Sequence, residues 1–277
     1  MAVNRAPSPA LDVESVRRDA SNALAAVVTA TRTLDAEMLA APSTLPGWSR
    51  SHVIAHVTAI GEAMARQAER AAEGGLVEVY DDGAAGREAG IQAGALRTVR
   101  EHVAALDALA GRLDAAWPAP GSPGWDAPVA YRDGSVTDAL VAWWREVRLH
   151  AVDLDLGIGI DTWPTALDLH LLDFLAARLP ADTVVDVVDV AGAVGVAGAV
   201  GVAGAENGPR PVDGTVTVRG SLQDVAAWLA GRAPDVAPTA HRGGERVRLP
   251  QIGPWPSPYN PPSENPGAAR QNRGVPR

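Results

Sequence analysis

A carboxylate and an imidazole stand four residues apart near the middle of the chain, within the segment WWREVRLHAVDL at 143–154. On a helix, Glu146 and His150 lie on one face, about 5 to 6 Å from each other. Two such side chains can bind one divalent cation if a third ligand reaches them from a facing helix. Without a third ligand, the same spacing describes an ordinary hydrogen-bonded or solvated pair.

His56 is the candidate for the third ligand. A helix is predicted to begin at Ser49, a residue type that caps helix N-termini, and to end near Gly74. On this helix, His56 shares a face with the apolar residues Val53, Val57 and Ile60. Because an apolar face packs inward, we expect His56 to point into the protein.

A second histidine in the same helix leaves an alternative open. His52 and His56 are also four residues apart, so they could form a site that omits Glu146. We prefer His56 alone, because His52 lies in the first turn, next to polar residues. The other histidines have no partner at a useful spacing and are interpreted as structural or exposed: His102, His170 and His241.

A set of nitrogen and oxygen donors without sulfur is typical of catalytic zinc, which keeps one position free for water or substrate. Asp153, three residues after His150, could orient that histidine through its second ring nitrogen. Arg87 lies in the segment LVEVYDDGAAGREAG at 76–90, which is interpreted as an irregular crossing loop. Its guanidinium could bind a carboxylate through two hydrogen bonds, although a solvated loop arginine fits the sequence equally well.

Apolar residues at helical spacing predict the elements that position these side chains. Four long helices are expected: Leu11–Ala40, a second from Ser49, a third marked by Val99 to Trp117, and a fourth from Thr137 to Leu156. A short hairpin is possible at Ala127–Val136. Four such helices predict an α-rich bundle spanning residues 1–160.

A different pattern follows Gly157. A helix at Leu167–Leu179, a strand at the start of VVDVVDV, a strand at Thr215–Val218 and a helix at Leu222–Leu229 predict a small α+β domain at 161–252. An Ala-Gly-Val repeat interrupts this domain and is typical of a low-complexity surface insert. The Pro-rich residues 253–277 are interpreted as a flexible tail.

Composition excludes several classes of function. The formal charge is −9 and the chain contains no Lys, so clustered cations for nucleic acid are absent and no nucleic-acid partner is expected. No segment resembles a signal peptide or a membrane span, which predicts a cytoplasmic location and no membrane partner. Because the chain has no Cys, any thiol chemistry must use an external thiol.

Three segments resemble the mycothiol-dependent maleylpyruvate isomerase family. They are LPGWSRSHVIAHV at 45–57, WWREVRLHAVDL at 143–154 and VRGSLQDVAAWLAGR at 218–232, and Gly86-Arg87-Glu88 adds a shorter match. The resemblance covers most of the chain and implies a DinB-like four-helix bundle. It also implies zinc bound by His56, Glu146 and His150, and a role in activity for Arg87.

The implied reaction is the cis to trans isomerisation of maleylpyruvate to fumarylpyruvate, with mycothiol and zinc as cofactors. In the implied mechanism, a thiolate adds to the double bond, the resulting single bond rotates, and elimination of the thiolate leaves the trans alkene. Two alternatives remain open. One is a mycothiol S-transferase acting on another electrophile, and the other is a metal-stabilised binding module without turnover.

Overall fold

Four long helices pack side by side in a computed structural model of the chain, which describes residues 11–188 and 214–256. They are α1 (Val13–Arg32), α3 (Arg50–Ala72), α5 (Val99–Ala116) and α6 (Val136–Asp153). Helices α1 and α3 each pack against both α5 and α6, so the four helices enclose one core. This arrangement is the predicted bundle.

The spacing of buried residues explains why these helices associate. In α1 the buried positions recur every three or four residues: Val16, Ala20, Ala23, Leu24, Val27, Val28 and Thr31. Helix α3 comes close to two of its neighbours at Gly61. A Cβ atom there would lie 2.6 Å from Leu109 Cδ2 of α5 and 3.0 Å from the Trp143 ring of α6. Glycine therefore allows α3 to approach both neighbours.

The first predicted helix is broken. Helix α1 ends at Arg32, and a five-residue helix, α2 (Ala36–Ala40), follows. The break occurs because Asp35 caps the new helix, its carboxylate accepting a hydrogen bond from Met38 N at 2.8 Å. The predicted range Leu11–Ala40 therefore contains two helices.

The interpretation of 76–90 as an irregular loop is wrong in its second half, because α4 spans Gly83–Gly94. Only Ile91 and Gly94 are buried in this helix, so it has no apolar repeat that a sequence pattern could reveal. It is held instead by packing against α3. The possible hairpin at 127–136 forms only as an isolated bridge between Pro128 and Ser135 around a short 3-10 helix, Tyr131–Asp133.

The C-terminal elements form the expected small α+β unit. Helix α7 (Thr165–Phe174) is followed by β1 (Thr183–Val187), β2 (Val216–Gly220), α8 (Leu222–Ala230), β3 (Thr239–Arg242) and β4 (Glu245–Val247). The strand order is β1-β2-β3-β4, with β1 parallel to β2 and the other pairs antiparallel. The fold class is thus confirmed as α-rich with a small α+β part. The strand predicted at the start of VVDVVDV is β1, and the Ala-Gly-Val insert after it lies outside the described residues.

One apolar core connects the two parts. Buried residues of α7 and α8 belong to the same cluster as those of the bundle, among them Leu167, Leu171, Val225 and Leu229. The boundaries at residues 160 and 252 remain predictions. Among the residues that the structure describes, no helix is both long enough and apolar enough to cross a membrane.

Candidate metal centre

Helices α3 and α6 carry the three predicted ligands, and both begin at a serine cap. Ser49 accepts a hydrogen bond from His52 N at the start of α3, and Ser135 accepts one from Asp138 N at the start of α6. Such caps satisfy backbone N–H groups that have no partner within the helix. Because α3 packs against α6, residue 56 of one helix faces residues 146 and 150 of the other.

Glu146 stands between the two histidines. Its Oε2 atom lies 3.2 Å from His56 Nε2 and 3.3 Å from His150 Nε2. The imidazole rings have centroids 4.4 Å apart and are nearly perpendicular. One donor atom from each of the three residues lies within 4.8 Å of the others. The structure therefore brings together the three residues that the sequence singles out.

His52 does not join this cluster. Its Nδ1 atom lies 2.7 Å from Ser49 Oγ, within the cap of α3. Two of the remaining histidines are held by other contacts: His102 Nε2 lies 2.8 Å from Ser51 Oγ, and His170 Nε2 lies 3.2 Å from Arg145 Nη1. His241 lies on β3.

Asp153 stands behind His150 at the end of α6. Its Oδ2 atom lies 2.8 Å from His150 Nδ1, so a proton on Nδ1 is donated to a carboxylate. This hydrogen bond leaves Nε2 to face Glu146, as a donor when His150 is protonated and as a lone pair, free for a cation, when it is neutral. Metal-binding histidines usually have such a carboxylate partner on the second nitrogen. The geometry expected for Asp153 is therefore present.

Arg87 reaches the cluster from the start of the second turn of α4 rather than from a loop. Its Nη2 atom lies 3.2 Å from His56 Nδ1. The turn is possible because residue 86 is glycine: a Cβ atom there would stand 1.7 Å from the carbonyl oxygen of Asp81. The sequence Gly86-Arg87 thus allows the chain to turn tightly and direct a guanidinium at the histidine.

A cavity of about 310 Å³ opens over the cluster. The walls combine aromatic and aliphatic surface with two guanidinium groups, and the lining residues are Trp48, His56, Arg87, Glu146, Leu149, His150, Arg232 and Trp255. The Arg87 guanidinium beside an apolar wall suits a small organic anion, whose carboxylate group it can bind.

Three residues that line the cavity are not among the predicted site residues: Leu149, Arg232 and Trp255. Arg232 ends the segment VRGSLQDVAAWLAGR, which carries part of the resemblance, but nothing local to it indicates a role. Trp255 falls in the part of the chain interpreted as a flexible tail. The structure places it in the cavity wall, where its ring lies 6.1 Å from that of Phe174. The only feature of the sequence that could have indicated this position for Trp255 is a large aromatic residue among prolines.

The cluster shifts the pKa values of its members in different directions. Burial and the nearby charges of His150 and Arg87 lower the pKa of His56 to about 4. Burial opposes the charged form of Glu146, but hydrogen bonds from both histidines outweigh it and hold the pKa of Glu146 well below its usual value. Burial would also lower the pKa of His150, yet its hydrogen bonds to Asp153 and Glu146 raise it.

This donor set fits a divalent cation. Two imidazole nitrogens and one carboxylate oxygen converge from two helices, and the cavity offers room for a further ligand. Zinc accepts such three-residue sets and keeps a fourth position for water or substrate. A cation would compete with the proton that the neighbouring carboxylates favour on His150, because both use the same nitrogen.

The fold and this site agree with one class of protein. Residues 18–155 match the family model described as the mycothiol maleylpyruvate isomerase N-terminal domain. Through these residues, the chain belongs to that family.

Solved structures support the fold over more of the chain. A crystal structure of the mycothiol-dependent maleylpyruvate isomerase superposes with a TM-score of 0.72 at 23% identity, covering 88% of this chain and 98% of that chain. A mutant of that isomerase gives a TM-score of 0.71 at 22% identity with the same coverage. No curated protein sequence matches the chain.

Proposed function

We propose that the protein is a mycothiol-dependent, metal-assisted isomerase that converts maleylpyruvate to fumarylpyruvate. The observation that carries the proposal is the convergence of His56, Glu146 and His150 beneath a cavity with two guanidinium groups, in a chain of this family. We infer that these three residues bind zinc or another divalent cation.

Each cofactor supplies chemistry that the chain lacks. Zinc, when bound, supplies a Lewis acid that lowers the pKa of a thiol or polarises a substrate oxygen, and mycothiol supplies the nucleophile that a chain without Cys does not contain. The protein's own contribution is binding, orientation and exclusion of water.

The residues around the cavity have different roles in this proposal. Arg87 is the proposed catalytic residue, because its guanidinium can hold a carboxylate and offset negative charge that develops next to it. Trp48, Leu149 and Trp255 supply apolar surface that excludes water from the reacting double bond. In a partly buried site of this kind, a charge interaction is stronger than in bulk water.

An absorbance assay tests the proposal. Purified protein loaded with zinc is mixed with maleylpyruvate, with and without mycothiol, and the product isomer is identified by chromatography. We expect conversion to the trans isomer only when the thiol is present. Isomerisation at the same rate without thiol would refute the thiol mechanism.

The same assay separates the alternatives. A stable thioether with no trans product would favour the mycothiol S-transferase, because the thiol then adds without being eliminated. Ligand binding without either product would favour a metal-stabilised binding module. The absence of nucleic-acid and membrane partners and a cytoplasmic location remain predictions from the sequence.

A further inference from the structure

Asp153 is shared between His150 and a residue from the C-terminal part of the chain. Its carboxylate accepts hydrogen bonds from Arg232 Nε at 3.0 Å and Arg232 Nη2 at 2.5 Å, in addition to the contact with His150 Nδ1 at 2.8 Å. Thr44 Oγ1 adds a fourth contact at 3.2 Å. The Asp153 side chain is only 1% exposed. Among the described residues that contact Asp153, Arg232 is thus the one that carries a positive charge whether or not His150 is protonated.

Arg232 is held by the end of α8. Gly231 ends this helix in a left-handed conformation, with φ of 73°, and Arg232 N then donates to Ala227 O at 2.9 Å. The guanidinium also donates from Nη1 to Ala230 O at 2.6 Å. These contacts fix the guanidinium relative to α8, so a helix outside the bundle presents a cation to the end of α6.

A buried carboxylate without a cation is unfavourable, because burial removes its hydration. Arg232 offsets that cost through two parallel hydrogen bonds, which also fix the plane of the carboxylate. Asp153 then presents Oδ2 to His150 Nδ1, and the imidazole keeps its Nε2 lone pair directed at the cluster. Without Arg232, the carboxylate could rotate or draw water, and His150 would lose its orienting partner.

We propose that Arg232 is a positioning residue for the candidate metal centre, through which α8 sets the affinity of a site in the bundle for a divalent cation. This inference rests on the proposed metal binding by His56, Glu146 and His150. It does not depend on which reaction the protein catalyses.

Arg178 provides a matched control. Like Arg232, it lies over the Trp255 ring, at 5.4 Å compared with 5.7 Å, and it donates a hydrogen bond to a carbonyl near the end of α8, that of Leu229. It has no contact with Asp153 among the described hydrogen bonds and ion pairs. A general loss of packing around α8 and Trp255 should therefore affect both arginine variants, whereas loss of histidine positioning should affect only Arg232.

The test is zinc affinity, measured by competition with a chromophoric chelator. We expect Arg232→Gln to weaken zinc binding by up to about 10- to 100-fold, the usual effect of losing the partner that orients a metal-binding histidine, which here is Asp153. Arg178→Gln should stay within about 2-fold of the wild type. Arg232→Lys, which restores the charge without the two parallel bonds, should lie between wild type and Arg232→Gln.

A double variant distinguishes positioning from other effects of the charge. If Arg232 acts through Asp153, then adding Arg232→Gln to Asp153→Asn should weaken zinc binding no further than Asp153→Asn does alone. Circular dichroism establishes that each variant is folded. If Arg232→Gln does not fold, Arg232→Lys and the Arg178 control still give the comparison.

Each outcome decides the inference. Equal zinc affinity in the wild type and the Arg232 variants would overturn it, as would an equal loss in Arg178→Gln. A wild-type protein that binds no zinc would overturn both this inference and the proposed metal site. Wild-type zinc binding that Arg232 does not affect would remove the inference alone.

Discussion

Replacing Arg87 with methionine should lower turnover and tighten zinc binding at the same time. A guanidinium has only N–H donors, so its contact with His56 at 3.2 Å requires a lone pair on Nδ1. A neutral imidazole that accepts at Nδ1 carries its hydrogen on Nε2, the atom that faces Glu146. Because zinc needs the lone pair of Nε2, the Arg87 contact opposes metal binding through His56.

The geometry sets the size of both effects. A separation of 3.2 Å is at the long end of the hydrogen-bond range, so the bond should contribute about 1.5 kcal/mol, the low end for a hydrogen bond with a charged donor. Its removal should therefore tighten zinc binding about 10-fold. Loss of a fixed donor that stabilises developing negative charge should lower kcat about 100- to 1000-fold.

The assay measures kcat at saturating zinc and zinc affinity by chelator competition for each variant. Arg112→Met is the matched control, because Arg112 of α5 forms a half-exposed ion pair with Glu69 of α3 and does not line the cavity. Both quantities should stay at wild-type values in this variant. Wild-type kcat in Arg87→Met would remove Arg87 from the mechanism. Weaker zinc binding in that variant would show that Arg87 supports the metal ligands, contrary to the tautomer argument.

Three further changes test the fold around the site. Burial raises the pKa of Asp168 to about 7, so the folded protein retains a proton that the unfolded chain releases near pH 4. The free energy of unfolding should therefore decrease as the pH rises from about 4 to 7, by up to about 1.4 kcal/mol per pH unit. Urea titrations should show this slope flattened in Asp168→Asn, and an unchanged slope would contradict the assignment. Gly61→Ala should lower the free energy of unfolding by about 1–3 kcal/mol through overpacking. Gly111→Ala, whose added Cβ meets nothing within 4 Å, should not destabilise the protein. Equal melting temperatures for the two variants would argue against the close packing of α3. Ser135→Ala should lower the free energy of unfolding by about 1 kcal/mol through loss of the α6 cap, and thermal denaturation without any shift would refute that role.

The sequence predicts the part of the site that rests on local patterns. Apolar residues at helical spacing identify α3 and α6, and the four-residue spacing of Glu146 and His150 places both on one face. The apolar neighbours of His56 correctly indicate that it points inward, where it is buried. Each of these features depends on residues less than two helical turns apart.

Other parts of the site depend on contacts that no local pattern encodes. Arg232 contacts Asp153, which lies 79 residues earlier in the sequence, and the residues around Arg232 have only the pattern of an ordinary helix C-terminus. Trp255 lies in a Pro-rich segment whose composition indicates flexibility, yet Gly253 N donates to Arg178 O at 2.7 Å and holds this segment against the protein. Helix α4 is also not predictable from a local pattern, because it has no apolar face and is stabilised by packing against α3.

Zinc stoichiometry is the sharpest test of whether His56, Glu146 and His150 form a single metal site. Metal analysis after dialysis should find one zinc per chain in the wild type and in His52→Ala. It should find zinc near background in His56→Ala, Glu146→Ala and His150→Ala, with helical circular dichroism retained. Stoichiometric zinc in all three of these variants, or a loss of zinc only in His52→Ala, would contradict a metal site formed by His56, Glu146 and His150.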